Sequence, residues 1–94
     1  MTSILDKYKK HQINTQLKNF NLQYLALGLG GEVGEVQNEI KKLERDDNNL
    51  LNEDRKKKII TELGDVMWYL TGICNNLDIT LEDVLNNNME KLKK

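Results

Sequence analysis

Apolar residues recur at three- and four-residue intervals along two long stretches of the chain. Leu25, Leu29, Val33, Val36, Ile40 and Leu43 form the first, and Ile59, Leu63, Val66, Leu70, Ile73 and Leu77 the second. At about 100° per residue each set occupies one arc of a helix. Asn19 or Asn21 caps the first helix, predicted over 21–45, and Asn52 or Asp54 opens the other, predicted over 54–77. A looser stripe of Ile4, Leu5, Tyr8, Ile13 and Leu17 follows Ser3-x-x-Asp6 and predicts a helix over 3–18. Thr80-x-x-Asp83, followed by Val84, Leu85, Asn88 and Leu92, predicts the last over 81–92. The fold class expected is an all-α, four-helix bundle without strands. No proline, repeat or low-complexity linker divides it, so residues 1–94 read as a single domain.

The two long helices carry the same acidic layout. Glu32 and Glu35 are three residues apart with Val33 between them, and Glu62 and Asp65 repeat the spacing around Leu63. On a helix such a pair shares one face, and here each pair borders its helix's apolar arc. If the arcs pack together, the acidic edges can converge at the rim of the contact. At about 4 Å and an effective dielectric of about 20, each like-charged pair costs on the order of 4 kcal/mol. A hard divalent cation relieves this, because Mg²⁺ and Mn²⁺ favour carboxylate oxygens. Tyr69 falls between Glu62 and Asp65 in angle, where it can stack on a base or simply pack. Glu39 has no counterpart on the third helix and can pair with Lys42 or Lys18; it is an outer candidate.

Gly28, Gly30, Gly31 and Gly34 all lie in the second helix. Each costs about 1 kcal/mol relative to Ala, so close approach of a helix or ligand is the expected reason for them. A phosphate-binding loop is excluded: Gly-x-Gly-x-x-Gly is absent, and Glu32 and Glu35 would repel a phosphate unless metal intervened.

Glu32-x-x-Glu35, a gap of 26 residues and Glu62-x-x-Asp65 together resemble the paired metal-binding motif of the MazG-like, all-α nucleoside triphosphate pyrophosphohydrolases. Ala26–Val36 is similar to the family's first motif helix and Glu62–Leu70 to its second. Asn88-Met89-Glu90-Lys91-Leu92 resembles the family's Asn-x-x-Lys-Leu, so the similarity covers about residues 22–92. One departure is Gly31, which stands where many members have the first Glu of Glu-Glu-x-x-Glu; dCTP-hydrolysing and phage-type relatives also carry Gly there. The resemblance implies a Mg²⁺ enzyme, with Mn²⁺ as a possible substitute, that clears nucleotide pools by cleaving a nucleoside triphosphate to monophosphate and pyrophosphate. Glu32, Glu35, Glu62 and Asp65 would hold the metal, with Glu35 the candidate general base. Asn88 and Lys91 would donate to phosphate or sugar. A homodimer or homotetramer is implied as well.

Composition narrows the alternatives. Fourteen basic residues against 15 acidic give no bulk argument for nucleic acid or an acidic membrane. With no apolar run of roughly 20 residues and no signal-like N-terminus, a cytoplasmic location is expected. The acidic run Asp46-Asp47-Asn48-Asn49 reads as solvated turn, Cys74 as a buried thiol and His11 as an ordinary imidazole. A ferritin-like di-iron bundle needs two Glu-x-x-His pairs, which the single His11 excludes. Trp68 lies off the apolar arc of its helix and is exposed or covered by another chain. Since 38% apolar content gives a thin core, the second choice and hence an oligomer is favoured. A catalytically silent nucleotide-binding regulator and a plain helical interaction module remain as competing functions, separated from the enzyme by metal-dependent pyrophosphate release.

Overall fold

The computed structural model describes residues 3–93, which form α1 (Ile4–Thr15), α2 (Leu22–Asp46), α3 (Glu53–Asn76) and α4 (Leu81–Lys91), with no strand among the described residues. A side-chain cap fixes each start by taking an N–H that the first turn leaves unpaired. Ser3 accepts from Asp6, Asn21 from Tyr24 and Asn52 from Arg55. Thr80 accepts from Asp83, whose carboxylate takes the Thr80 N–H in return.

Helix α1 stops at Thr15, short of the expected end at residue 18, and Gln16 is extended with ψ 139°. Its last turn is tied to a neighbouring helix. Thr15 Oγ1 donates to the His11 carbonyl at 2.8 Å and accepts the Trp68 indole N–H at 2.8 Å, which pins the helix end to α3.

The α2–α3 connection turns through Asn48 and Asn49, at φ 54° and 60°, a conformation that Asn tolerates. Asp47 is not solvated as expected. Its side chain is 14% exposed and accepts from Arg55 Nε at 2.7 Å. After α3 the chain reverses at Asp78, φ 57°, where the Asp78 and Ile79 N–H groups return to the Asn75 and Cys74 carbonyls.

Helices α2 and α3 form the main packed pair, α1 lies against α3, and α4 packs extensively on none of them. Leu25 and Cys74 are the buried apolar residues among those described. Gln12 is also fully enclosed, with its amide bonded to Gln16 and Asn75, both at 2.8 Å. A β-carbon at Gly72 would stand 2.6 Å from Gln12 Nε2 and 3.0 Å from Leu25 Cδ2, so α1 and α2 reach α3 closely at this glycine. The radius of gyration is 15.6 Å, against roughly 12 Å for a compact domain of this length.

Candidate metal centre

Glu32 from α2 and Glu62 and Asp65 from α3 can each place a carboxylate oxygen within 4.8 Å of the others. Glu32 and Glu62 are half-buried and Asp65 is exposed. Among the described residues none of the three has an ion-pair partner. Burial, followed by the charges of Asp65, Glu62 and Glu35, holds the Glu32 carboxyl above its ordinary pKa. Glu62 is raised as well, by burial and then by Asp65, Glu35 and Glu39. The structure thus brings three of the four sequence candidates together. Glu35, one turn beyond Glu32, is exposed and stands outside that group, near enough for its charge to act on both Glu32 and Glu62.

Glu39 is held elsewhere. Its Oε2 accepts from Arg55 at 2.6 Å and its Oε1 from Lys42 Nζ at 3.4 Å, so Arg55, which the spacing did not suggest, is the main partner, and Lys18 is not. The Arg55 hydrogen bond holds the Glu39 carboxyl below its ordinary range.

Tyr69 is half-buried beside the acids. Its hydroxyl is pushed up in pKa by burial and then by Tyr24, Glu32 and Asp65. Its ring lies over Gly28, the one glycine of α2 whose missing side chain makes room for a neighbour. Gly30, Gly31 and Gly34 face open space on this chain. Trp68 stands edge-on to Tyr69 at 5.0 Å and to Phe20 at 6.1 Å, while Phe20 stacks on Tyr24 at 4.1 Å. The Trp68 indole is therefore half-buried on its own chain.

Four of the chain's five aromatic residues gather here. Tyr24 and Phe20 were not among the sequence candidates. Tyr24 could have been, since it lies eleven residues before Glu35, about three turns and so near the same helical edge. Phe20 lies outside any helix and carried no periodic signal. From α1, Tyr8 donates to the Gly64 carbonyl at 3.4 Å, and burial followed by the Asp65 charge raises its pKa.

Asn88 and Lys91 are exposed on α4, and neither makes a hydrogen bond or ion pair with the acids. His11 is exposed, with its ring 5.6 Å from that of Tyr8. Cys74 is a buried thiol whose pKa burial pushes up, which leaves it inert.

The donors at the acidic cluster are hard carboxylate oxygens, mutually repelling and unpaired by any side-chain cation among the described residues. Such a set fits a hard divalent ion such as Mg²⁺ or Mn²⁺.

The fold and site define an all-helical domain with carboxylates facing each other across its two long helices. A family model described as the MazG nucleotide pyrophosphohydrolase domain matches residues 20–94, and the chain belongs to that family. It is also similar to the Gene 37 protein of Mycobacterium phage L5, at 40% identity over 72 residues. That alignment covers 77% of this chain and 63% of the phage protein, so the chain spans less than two thirds of that relative's length. No solved structure matches.

Proposed function

We propose that this protein is a Mg²⁺-dependent nucleoside triphosphate pyrophosphohydrolase that cleaves a (d)NTP to (d)NMP and pyrophosphate. The observation that carries the reading is the convergence of Glu32, Glu62 and Asp65 across α2 and α3 in a chain of this family. These three, with Glu35 at the edge, would hold the ion. A bound Mg²⁺, for which Mn²⁺ can substitute, supplies neutralisation of phosphate charge and a lowered pKa for a water nucleophile.

The chain's own groups divide the remaining work. A Glu35 carboxylate oxygen, exposed and outside the tight group, takes the proton from water attacking the α-phosphorus. Tyr69 offers its face to the base, with Tyr24 and Phe20 extending the aromatic wall. Asn88 and Lys91 donate to phosphate or sugar. Because they stand apart from the acids on the isolated chain, we place that contact across a subunit boundary.

A second copy is supported by area. The chain exposes 7303 Å², against roughly 5,600 Å² expected for a compact monomer of its mass. The excess is more than the roughly 800 Å² that each partner of a standard interface buries, and so is enough to supply one. It includes Leu27 at 79%, Ile60 at 58% and Met89 at 63% exposure. We therefore propose a homodimer or homotetramer of single 1–94 domains. No helix among the described residues is long and apolar enough to cross a membrane. Action on nucleotide pools in the cytoplasm fits the proposed substrate.

The test is a panel of ribo- and deoxyribonucleoside triphosphates with Mg²⁺, scored for pyrophosphate against inorganic phosphate. Metal-dependent pyrophosphate release is expected. Binding of a nucleotide without turnover would leave a silent regulator, and neither binding nor turnover would leave a helical interaction module.

A further inference from the structure

Glu39 and Arg55 sit seven residues beyond the acidic cluster on their respective helices, Glu39 after Glu32 and Arg55 before Glu62. Seven residues are about two turns, so each shares a face with the acid it follows or precedes. The α2–α3 contact thus has two charged layers. One is wholly negative, formed by Glu32, Glu62 and Asp65. The other is compensated, with the Arg55 guanidinium bonded at once to Glu39 at 2.6 Å and Asp47 at 2.7 Å.

The layers adjoin. Glu39 lies four residues after Glu35 on α2, so the two carboxylates are neighbours on one face, roughly 5–6 Å apart at Cβ. Glu39 is outside the group of converging carboxylates, and both of its oxygens are taken, one by Arg55 and the other by Lys42. Lys42 is 29% exposed and bonds at 3.4 Å, whereas Arg55 is 10% exposed and held from both sides, so Arg55 is the member that fixes Glu39.

We infer that Arg55 is a positioning residue that withholds Glu39 from the metal centre, confining the cation to Glu32, Glu35, Glu62 and Asp65. The inference rests on the metal-binding reading proposed above. Any residue filling the space of Arg55 would pack the helices, but only a cation there keeps a fifth carboxylate away from the site. Its removal should therefore change what the centre binds, apart from any change in stability.

The experiment counts Mn²⁺ bound per chain by electron paramagnetic resonance titration, with metal-free melting followed in parallel. The variants are Arg55→Met, Glu39→Gln and the double variant. Glu39→Gln should leave Mn²⁺ uptake within about twofold of wild type. Arg55→Met should gain uptake, as a further ion or as at least fivefold tighter binding, and the double variant should lose that gain. Should Arg55→Met fail to fold, Arg55→Gln keeps donors for Asp47 while giving Glu39 no cation, with the same expectation. Equal Mn²⁺ uptake by the Arg55 variant and the double variant overturns the inference, as does a fivefold loss in Glu39→Gln. Wild-type protein that takes up no Mn²⁺ overturns the metal reading too, whereas normal uptake with indifference to Arg55 overturns this inference alone.

Discussion

The ring of Tyr69 lies across Gly28: a β-carbon at position 28 would stand 2.6 Å from Tyr69 Cδ1 and 2.7 Å from its Cζ. An aromatic ring beside the acidic cluster is thus accommodated by the absence of a side chain on the facing helix. Gly28→Ala must move the ring. Overpacking of this kind costs about 1–3 kcal/mol, of which about 1 kcal/mol is recovered in helix propensity. The expected result is a small loss of thermal stability and, if Tyr69 stacks on the base, a KM for the triphosphate raised severalfold. Unchanged melting and kinetics would show that Tyr69 moves aside freely and has no part in binding.

Gly30 and Gly34 differ from Gly28 in meeting nothing within 4 Å among the described residues. If a second copy covers that face, as proposed, Gly30→Ala and Gly34→Ala should shift sedimentation at micromolar concentration toward an 11 kDa species (about the mass of one chain). A gain of about 1 kcal/mol in stability with no change in mass would instead assign these glycines to open surface.

Each of the three cluster acids, and Glu35 beside them, should matter to turnover and little to the metal-free fold. Glu32→Gln, Glu35→Gln, Glu62→Gln and Asp65→Asn should each lower pyrophosphate release by orders of magnitude. Metal-free melting temperature should hold level or rise, since a repelling charge has gone. Near-wild-type turnover in any one variant removes that residue from the site, and a uniform large drop in metal-free stability would make the acids structural partners instead.

The same repulsion has a pH signature. Glu32 and Glu62 are raised by burial and by like charge, so each binds a proton more readily folded than unfolded, and protonation favours the fold. Metal-free melting should therefore rise as pH falls from neutral toward the ordinary carboxylate range. Below that range the trend reverses. Glu39, lowered by its bond to Arg55, and Asp83, lowered by its bonds to Thr80, lose their stabilisation as pH falls through their folded values. Circular dichroism melts in chelator from pH 7.5 downward read both limbs, and Glu62→Gln should flatten the upper one. A monotonic fall from neutral pH would contradict the cluster's electrostatics.

Thr15→Val removes the acceptor of the Trp68 indole N–H. A loss of about 1 kcal/mol is expected, together with a shift in Trp68 emission as the end of α1 loosens. Unchanged emission and stability would mean that Phe20 and Tyr69 hold the indole without it.

The helix starts were legible because capping is local: Ser3, Asn21, Asn52 and Thr80 each bond an N–H three residues on. The paired acids and their place beside the apolar arcs were legible for a similar reason, since helical periodicity fixes which residues share an edge. Other features join groups far apart in sequence and so left no trace in spacing. Trp68 is bonded to the last residue of α1 from 53 residues away, and Arg55 claims Glu39 across 16 residues and Asp47 across eight. Glu35 shows the same limit on a smaller scale. Its spacing matches that of its three partners, but whether its carboxylate closes on theirs depends on how α2 is rotated against α3, and that angle is set by Leu25 at Gly72 and by Tyr69 over Gly28. Periodicity names the residues on an edge; only the packing of two helices decides which of them meet.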